Sequence, residues 1–225
     1  MNETIPREVF SLINRLDKNN NREWFTENKN EFKELESEVK QFYNQLFERV
    51  IAHDEVDKLK MFRIYRDVRF SKDKTPYKTH FGGSIHRKKP ELRGGYYLQI
   101  QPNNESFIAT GFWDPNKEDL VRIRKEFEMD ATEIRKIMSH KKFKAIWGDL
   151  VGDELKTAPK GFDKEHENID LIKKKMYIFT RKFTDAEVTS NDFLGTVDAS
   201  FKAIRPFFNY MSDVLTSNLN GESLI

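Results

Sequence analysis

His80-Phe-Gly-Gly-Ser-Ile-His-Arg87, Gly95-Tyr-Tyr-Leu-Gln-Ile-Gln101 and Ser106-Phe-Ile-Ala-Thr-Gly-Phe-Trp113 follow one another along the chain, separated only by residues 88–94 and by a turn containing Pro102-Asn103-Asn104. Each run has strand length, and the connections are rich in Gly, Pro and Asn, the residues that turns require. Connections this short join antiparallel neighbours, because a parallel crossover needs a dozen residues or more. Upstream, Met61-Phe-Arg-Ile-Tyr-Arg-Asp-Val-Arg-Phe70 alternates strictly. Phe62, Ile64, Val68 and Phe70 fall on one face, and Arg63, Tyr65, Asp67 and Arg69 on the other, which predicts a half-buried strand over 61–70. A fifth strand is predicted over 175–183.

Helical periodicity occupies the flanks. Ile5, Val9, Leu12, Ile13 and Leu16 predict a helix over 4–18, with Thr4 as its cap and Pro6 in the first turn. Asn19-Asn20-Asn21 breaks it. Phe25, Phe32, Leu35, Val39, Phe42 and Leu46 then predict one long amphipathic helix over 22–52. Phe193, Val197, Phe201, Ile204, Phe208, Met211, Leu215 and Leu219 repeat the pattern over 191–219, interrupted near Pro206, so the two seams are expected to pack together. Residues 115–148 are expected to be helical. Asp114-Pro115 would start the first of these helices, and Asp130 with Glu133 would start the next in the manner of a capping box. Residues 152–164 read as irregular. Strands grouped in the middle with helices before and after predict an α+β fold, an antiparallel sheet of about five strands covered by long N- and C-terminal helices, in a single domain over 1–225.

The chain has 225 residues, with Lys+Arg 39 against Asp+Glu 37, 37% hydrophobic residues and no cysteine. Zero cysteine excludes a disulfide framework, cysteine-ligated metals and a thiol nucleophile. No apolar run approaches the roughly 18 residues that span a bilayer, and the start of the chain, with Glu3 and Pro6, is unlike a signal peptide. The expectation is a cytoplasmic protein with no membrane partner.

The net charge of +2 conceals an asymmetry. Residues 58–93 hold 12 Lys/Arg against 3 acids, a charge of +9, which leaves −7 for the remainder. Within this window the segment 63–80 combines guanidinium groups suited to bidentate binding of carboxylate or phosphate with ammonium point charges. It is therefore expected to bind a small anionic ligand bearing phosphate or carboxylate, through Arg66, Arg69, Lys72, Lys74, Tyr77, Lys78 and His80. The competing reading places Arg66 on the Ile64/Val68 face, buried and paired with a helix carboxylate such as Glu23, with the loop lysines merely solvated.

Other chemistry has weaker support. His80 and His86 share a strand face but stand about 20 Å apart, too far to chelate one metal. His166, with Asp163 at i−3 and Asp170 at i+4, has the spacing to orient an imidazole as a base, though no companion nucleophile accompanies it. No glycine-rich phosphate loop and no nucleophile elbow is present, and the paired glycines at 82–83 and 94–95 read as close backbone approach or turns. No cofactor and no metal site is implied. Three alternatives stand beside anion binding: a cofactor-independent hydrolase or transferase using His80 or His166, a nucleic-acid-binding protein, and a protein interaction module. The sequence pI of about 8.5 falls short of a dedicated basic domain.

Three stretches carry a family resemblance: Asn19-Asn-Asn-Arg-Glu-Trp-Phe25, Phe62-Arg-Ile-Tyr-Arg-Asp-Val-Arg-Phe-Ser-Lys-Asp-Lys-Thr-Pro-Tyr-Lys-Thr-His80 and Pro159-Lys-Gly-Phe-Asp-Lys-Glu-His166. In order and spacing they resemble the microbial family catalogued as domain of unknown function 2461. The resemblance implies a single cytoplasmic domain and carries no reaction, cofactor or catalytic set. Taken together with the charge pattern, it leads to the expectation that the helix start at 19–25 and the segment 66–80 adjoin, where the helix N-terminus would reinforce an anion site built from Arg66, Arg69, Lys72, Lys74 and Lys78.

Overall fold

The computed structural model describes residues 4–225; residues 1–3, where the reading of the chain's start begins, lie outside the described residues. Helices α1 (Arg7–Lys18), α2 (Arg22–Glu27) and α3 (Lys29–Ile51) precede a sheet of β1 (Val56–Met61), β2 (Phe81–Arg87), β3 (Gly95–Ile100) and β4 (Ser106–Phe112). Helices α4 (Lys117–Met129), α5 (Thr132–Ser139), α6 (Lys141–Trp147) and α7 (Ile169–Ile172) lead to β5 (Tyr177–Phe183). The chain closes with α8 (Asp185–Val188), α9 (Phe193–Ala203) and α10 (Arg205–Thr216).

The sheet is antiparallel throughout, in the order β1-β2-β3-β4-β5. Register fixes its two faces. Phe81, Ile85, Tyr96, Leu98, Ile108 and Phe179 point to one side and are buried against the helices. On that side α3 lies over β1 and β2 and packs on α9, where Phe42 stacks on Phe193 at 5.4 Å. The expected seam between the two ends of the chain is therefore present, and one hydrophobic cluster joins residues from α1 to α10. Gly83 is required there. A Cβ at that position would stand 2.6 Å from Cε1 of Tyr43, a buried ring fixed by its hydroxyl donating to Leu98 O at 2.7 Å.

Several boundaries differ from expectation for identifiable reasons. The first strand is 56–61, not 61–70. Its sequence, Val-Asp-Lys-Leu-Lys-Met, is edge-like, with Lys58 and Lys60 outward, whereas the alternation beyond Met61 meets the core at Ile64 and then runs past it, leaving Phe70 96% exposed. The 22–52 helix breaks at Asn28, whose side chain donates to Trp24 O, giving α2 and α3. Asp114 is a turn residue with φ 45°, and α4 starts at Lys117 under Asn116, whose Oδ1 accepts from Asp119 N. Asp130 accepts from Thr132 N, but Ala131 is the N-cap of α5; the reciprocal capping box lies at Thr184 and Glu187 of α8. The C-terminal helix divides at Ile204, just before Pro206 as expected.

Candidate functional site

Beyond Met61 the β1–β2 hairpin continues as an arm. Phe62 N donates to Gly82 O, Lys78 N to Ile64 O and Arg66 N to Pro76 O, at 2.8, 2.8 and 2.9 Å. Tyr65 and Tyr77 form the intervening non-hydrogen-bonded pair, which turns the N–H and C=O of Tyr77 outward. Asn20 takes both. Its Nδ2 donates to Tyr77 O at 3.0 Å and its Oδ1 accepts from Tyr77 N at 3.1 Å, as a neighbouring strand would. Phe25 stacks on Tyr77 with ring centroids 4.0 Å apart. The 19–25 and 66–80 stretches thus adjoin as expected, but α2 has six residues and Asn21 already caps the Trp24 N–H, so this helix start supplies no anion site.

The arm's loop is braced by its own charges. Arg66 bonds to the Asp73 carboxylate and to the hydroxyl of Thr75, not to Glu23. Hydrogen bonds to Asp73, first from the Thr75 backbone N–H and then from Arg66, hold its carboxyl down at about 2. Arg69 makes a two-point contact with Asp67 at 2.9 and 2.6 Å, and Lys74 donates to Val68 O at 2.9 Å. Of the seven candidates, Arg66, Arg69 and Lys74 therefore hold the loop together, and Tyr77 is buried under Phe25. Lys72 is exposed beside Phe70 in the chain. Lys78 and His80 lie at the arm's base, where burial lowers both; the Lys78 charge pushes His80 further, to about 4.

The second face of the sheet is uncovered: among the described residues no helix packs on it. Tyr97 lies at its centre, with Phe62 at 6.2 Å and Phe107 at 5.5 Å between ring centroids. Gly82 makes this possible, because a Cβ there would stand 2.8 Å from the Tyr97 hydroxyl. The ring thus crosses β2 toward Phe62. Lys60 and Lys78 place their Nζ atoms 5.5 Å from the Phe62 centroid, without a carboxylate partner among the described residues. A trough of about 470 Å³ runs along the aromatic row to Trp113, and one of about 460 Å³, lined by Lys89 and Arg93 and by the acids Asp114 and Asp119, adjoins it, sharing Ser84 and Trp113. A larger groove of about 700 Å³, between α5, α6 and the α9–α10 junction, has an apolar floor of Ile137, Phe143, Ala203 and Pro206 and a rim of mixed charge that includes Asp130, Glu133, Lys136, His140 and Lys202.

The base candidates are poorly equipped. His166 Nδ1 accepts from Asn168 N, and Asp170 is paired with Arg135 at 2.6 Å, so the expected carboxylate is engaged elsewhere. Ser84 Oγ lies 2.9 Å from His86 Nε2, but β2 is flanked on both sides, its N–H groups belong to the ladders, and no oxyanion donors face the serine.

The residue pattern had hidden both the open face and one buried charge cluster. Asp54, fully buried, accepts from Arg87 Nε at 2.8 Å and from the Tyr96 hydroxyl and forms an ion pair with Arg205 Nη1 at 2.9 Å; Arg87 also reaches Ser212 Oγ at 3.1 Å. The available signal was phase, since Arg87 alternates with Phe81 and Ile85 on the apolar side of β2.

A family model described as "Conserved hypothetical protein (DUF2461)" matches residues 8–210. The chain belongs to that family. For DUF2461 this match spans α1 to α10 and so includes the arm, the open face and the Asp54 cluster. No curated protein and no solved structure matches the chain. The third stretch of the DUF2461 resemblance, 159–166, contacts α4, with Phe162 under Lys125 at 4.7 Å.

Proposed function

We propose that this protein binds an anionic ligand carrying a flat unsaturated ring, on the open sheet face at the base of the arm. The observation that carries this reading is the pair of ammonium groups, Lys60 and Lys78, over Phe62 with no carboxylate partner among the described residues. A half-buried Lys78 held below its ordinary range by burial and by Arg63 gains from any anion beside it. The Phe62, Tyr97 and Phe107 row offers a ring to stack on. The site thus keeps Lys78 of the 63–80 segment and moves off the loop, whose cations brace the arm. His80 is neutral near pH 7 and adds shape rather than charge.

The test is thermal denaturation with adenosine 5′-monophosphate, adenosine and inorganic phosphate added separately. A ligand at 100 times its Kd adds about 2.7 kcal/mol, which for a chain of this size raises Tm by roughly 5–10 °C. The expected order is monophosphate above either half, with the shift lost in Lys60→Gln/Lys78→Gln. Equal shifts in wild type and that double variant would sink the reading.

A further inference from the structure

Every outward position in the paired registers of all five strands is neutral or basic. Lys58 and Lys60 lead along β1, His86 lies on β2 and Lys182 on β5, and no Asp or Glu occupies a paired outward position; the nearest acids are at the margins, Glu105 in the β3–β4 turn, paired with Lys182 at 3.4 Å, and Asp57 in the β1 bulge, whose charge acts on His86. For a chain carrying 37 acids this is a selective absence. The aromatic residues are arranged as a row across neighbouring strands rather than as walls of a closed pocket, with Phe62, Tyr97 and Phe107 successive at 6.2 and 5.5 Å and Trp113, 42% exposed, at the β4 end. Lys58 and Lys60 share the face two residues apart, a spacing of about 7 Å along the strand. Beyond Phe62 the arm carries Phe70, with the Arg69 guanidinium 6.0 Å from its ring centroid.

Resting on the anion-binding reading above, we propose that the natural occupant of this face is a single-stranded nucleic acid, its bases stacked on the Phe62–Tyr97–Phe107 row and its phosphates along the lysines of β1 and the arm. Rings on an open sheet stack two or three successive bases without needing a particular sequence, and strand positions without a carboxylate, beside the lysines of β1, complement the backbone. Phe70 supplies a further stacking surface on the arm. A duplex, whose bases are already stacked internally, gains nothing from the row.

The test is fluorescence anisotropy with the full chain and labelled dT12, rU12 and a 12-base-pair duplex. The single strands are expected to bind and the duplex to bind much more weakly. Neutralising about three phosphates gives a log–log salt slope near −2, an affinity loss of roughly 20-fold between 50 and 200 mM salt. Tyr97→Leu should weaken binding about tenfold or more while Tyr97→Phe retains it, because the ring and not the hydroxyl stacks. Comparable unfolding transitions for the two variants separate lost stacking from lost folding. Equal affinity for duplex and single strand overturns the proposal, as does unchanged binding in Tyr97→Leu. If adenosine monophosphate stabilises the protein but no oligonucleotide binds, this inference falls and the anion site stands; if neither binds, both fall.

Discussion

Asn20 shows how one side chain can complete a sheet edge. Its carboxamide meets the N–H and C=O of Tyr77, two groups that the hairpin geometry turns away from its own partner strand. Asn20→Ala is expected to cost about 1–2 kcal/mol, the penalty of leaving partly buried backbone groups to imperfect hydration, measurable as a lower urea midpoint at unchanged slope. That the asparagine run ends a helix was legible from composition; that its middle member reaches across 57 residues was not, because nothing local encodes the contact. His80 is a second case. Its residue type marked it as a candidate base, but burial keeps it neutral down to about 4, against an ordinary value of 6.5. With the folded value depressed, the unfolded chain binds the extra proton between those limits, so this histidine's contribution is complete above about pH 6.5 and lost as pH falls toward 4. Allowing for its partial exposure, the loss is about 1–2 kcal/mol. His80→Gln should flatten the stability profile over pH 4–6.5 relative to wild type; parallel profiles would show that His80 does not titrate differently on folding.

Among elements, β2 to β5 were readable because each pairs on both sides or ends in turn residues, so alternation and punctuation agree. β1 was not. A charged edge strand carries few apolar residues, while the arm beyond it imitates a strand's alternation with residues that serve other ends, Arg66 and Arg69 as braces and Phe70 as an exposed ring. The same limit hid the Asp54 cluster, which ties β2, β3 and α10 to the α3–β1 connection through Arg87, Tyr96 and Arg205. Two guanidinium groups share this one carboxylate. Asp54→Asn therefore leaves buried positive charge without a counter-charge and is expected to destabilise the fold by about 3–5 kcal/mol, whereas Glu36→Gln, which removes a surface pair with Lys40, should change it by well under 1. Denaturant titration of the two variants side by side decides whether the cluster holds these elements together.

At the scale of the molecule, the +9 window divides by use. Arg66, Arg69, Arg87, Lys88 and Arg93 are taken by ion pairs, and Lys58, Lys60 and Lys78 remain on or beside the open face. The sum of charges could not show this division, since it depends on which carboxylates the fold brings near. The hydrophobic cluster imposes a similar dependence on stability. Helices α4 to α7 lie between β4 and β5 in the chain, yet those two strands pair along their whole length, so this helical excursion cannot leave without opening the sheet. The sheet's buried face in turn rests on the last helices: Tyr96 meets Phe201 at 4.7 Å and Phe208 at 5.2 Å, and Phe179 meets Phe207 at 5.1 Å. Losing a buried phenylalanine costs about 3–5 kcal/mol, and a domain's whole stability is about 5–15 kcal/mol, so a chain ended at Ser190 forfeits several such contacts at once and should show no cooperative transition. The full chain should instead unfold in one step, with tryptophan fluorescence, which reports Trp24 on α2, Trp113 on the open face and Trp147 in the core, and far-ultraviolet circular dichroism giving the same midpoint. Two separated midpoints would mean that the α4–α7 excursion melts on its own, against the pairing of β4 with β5.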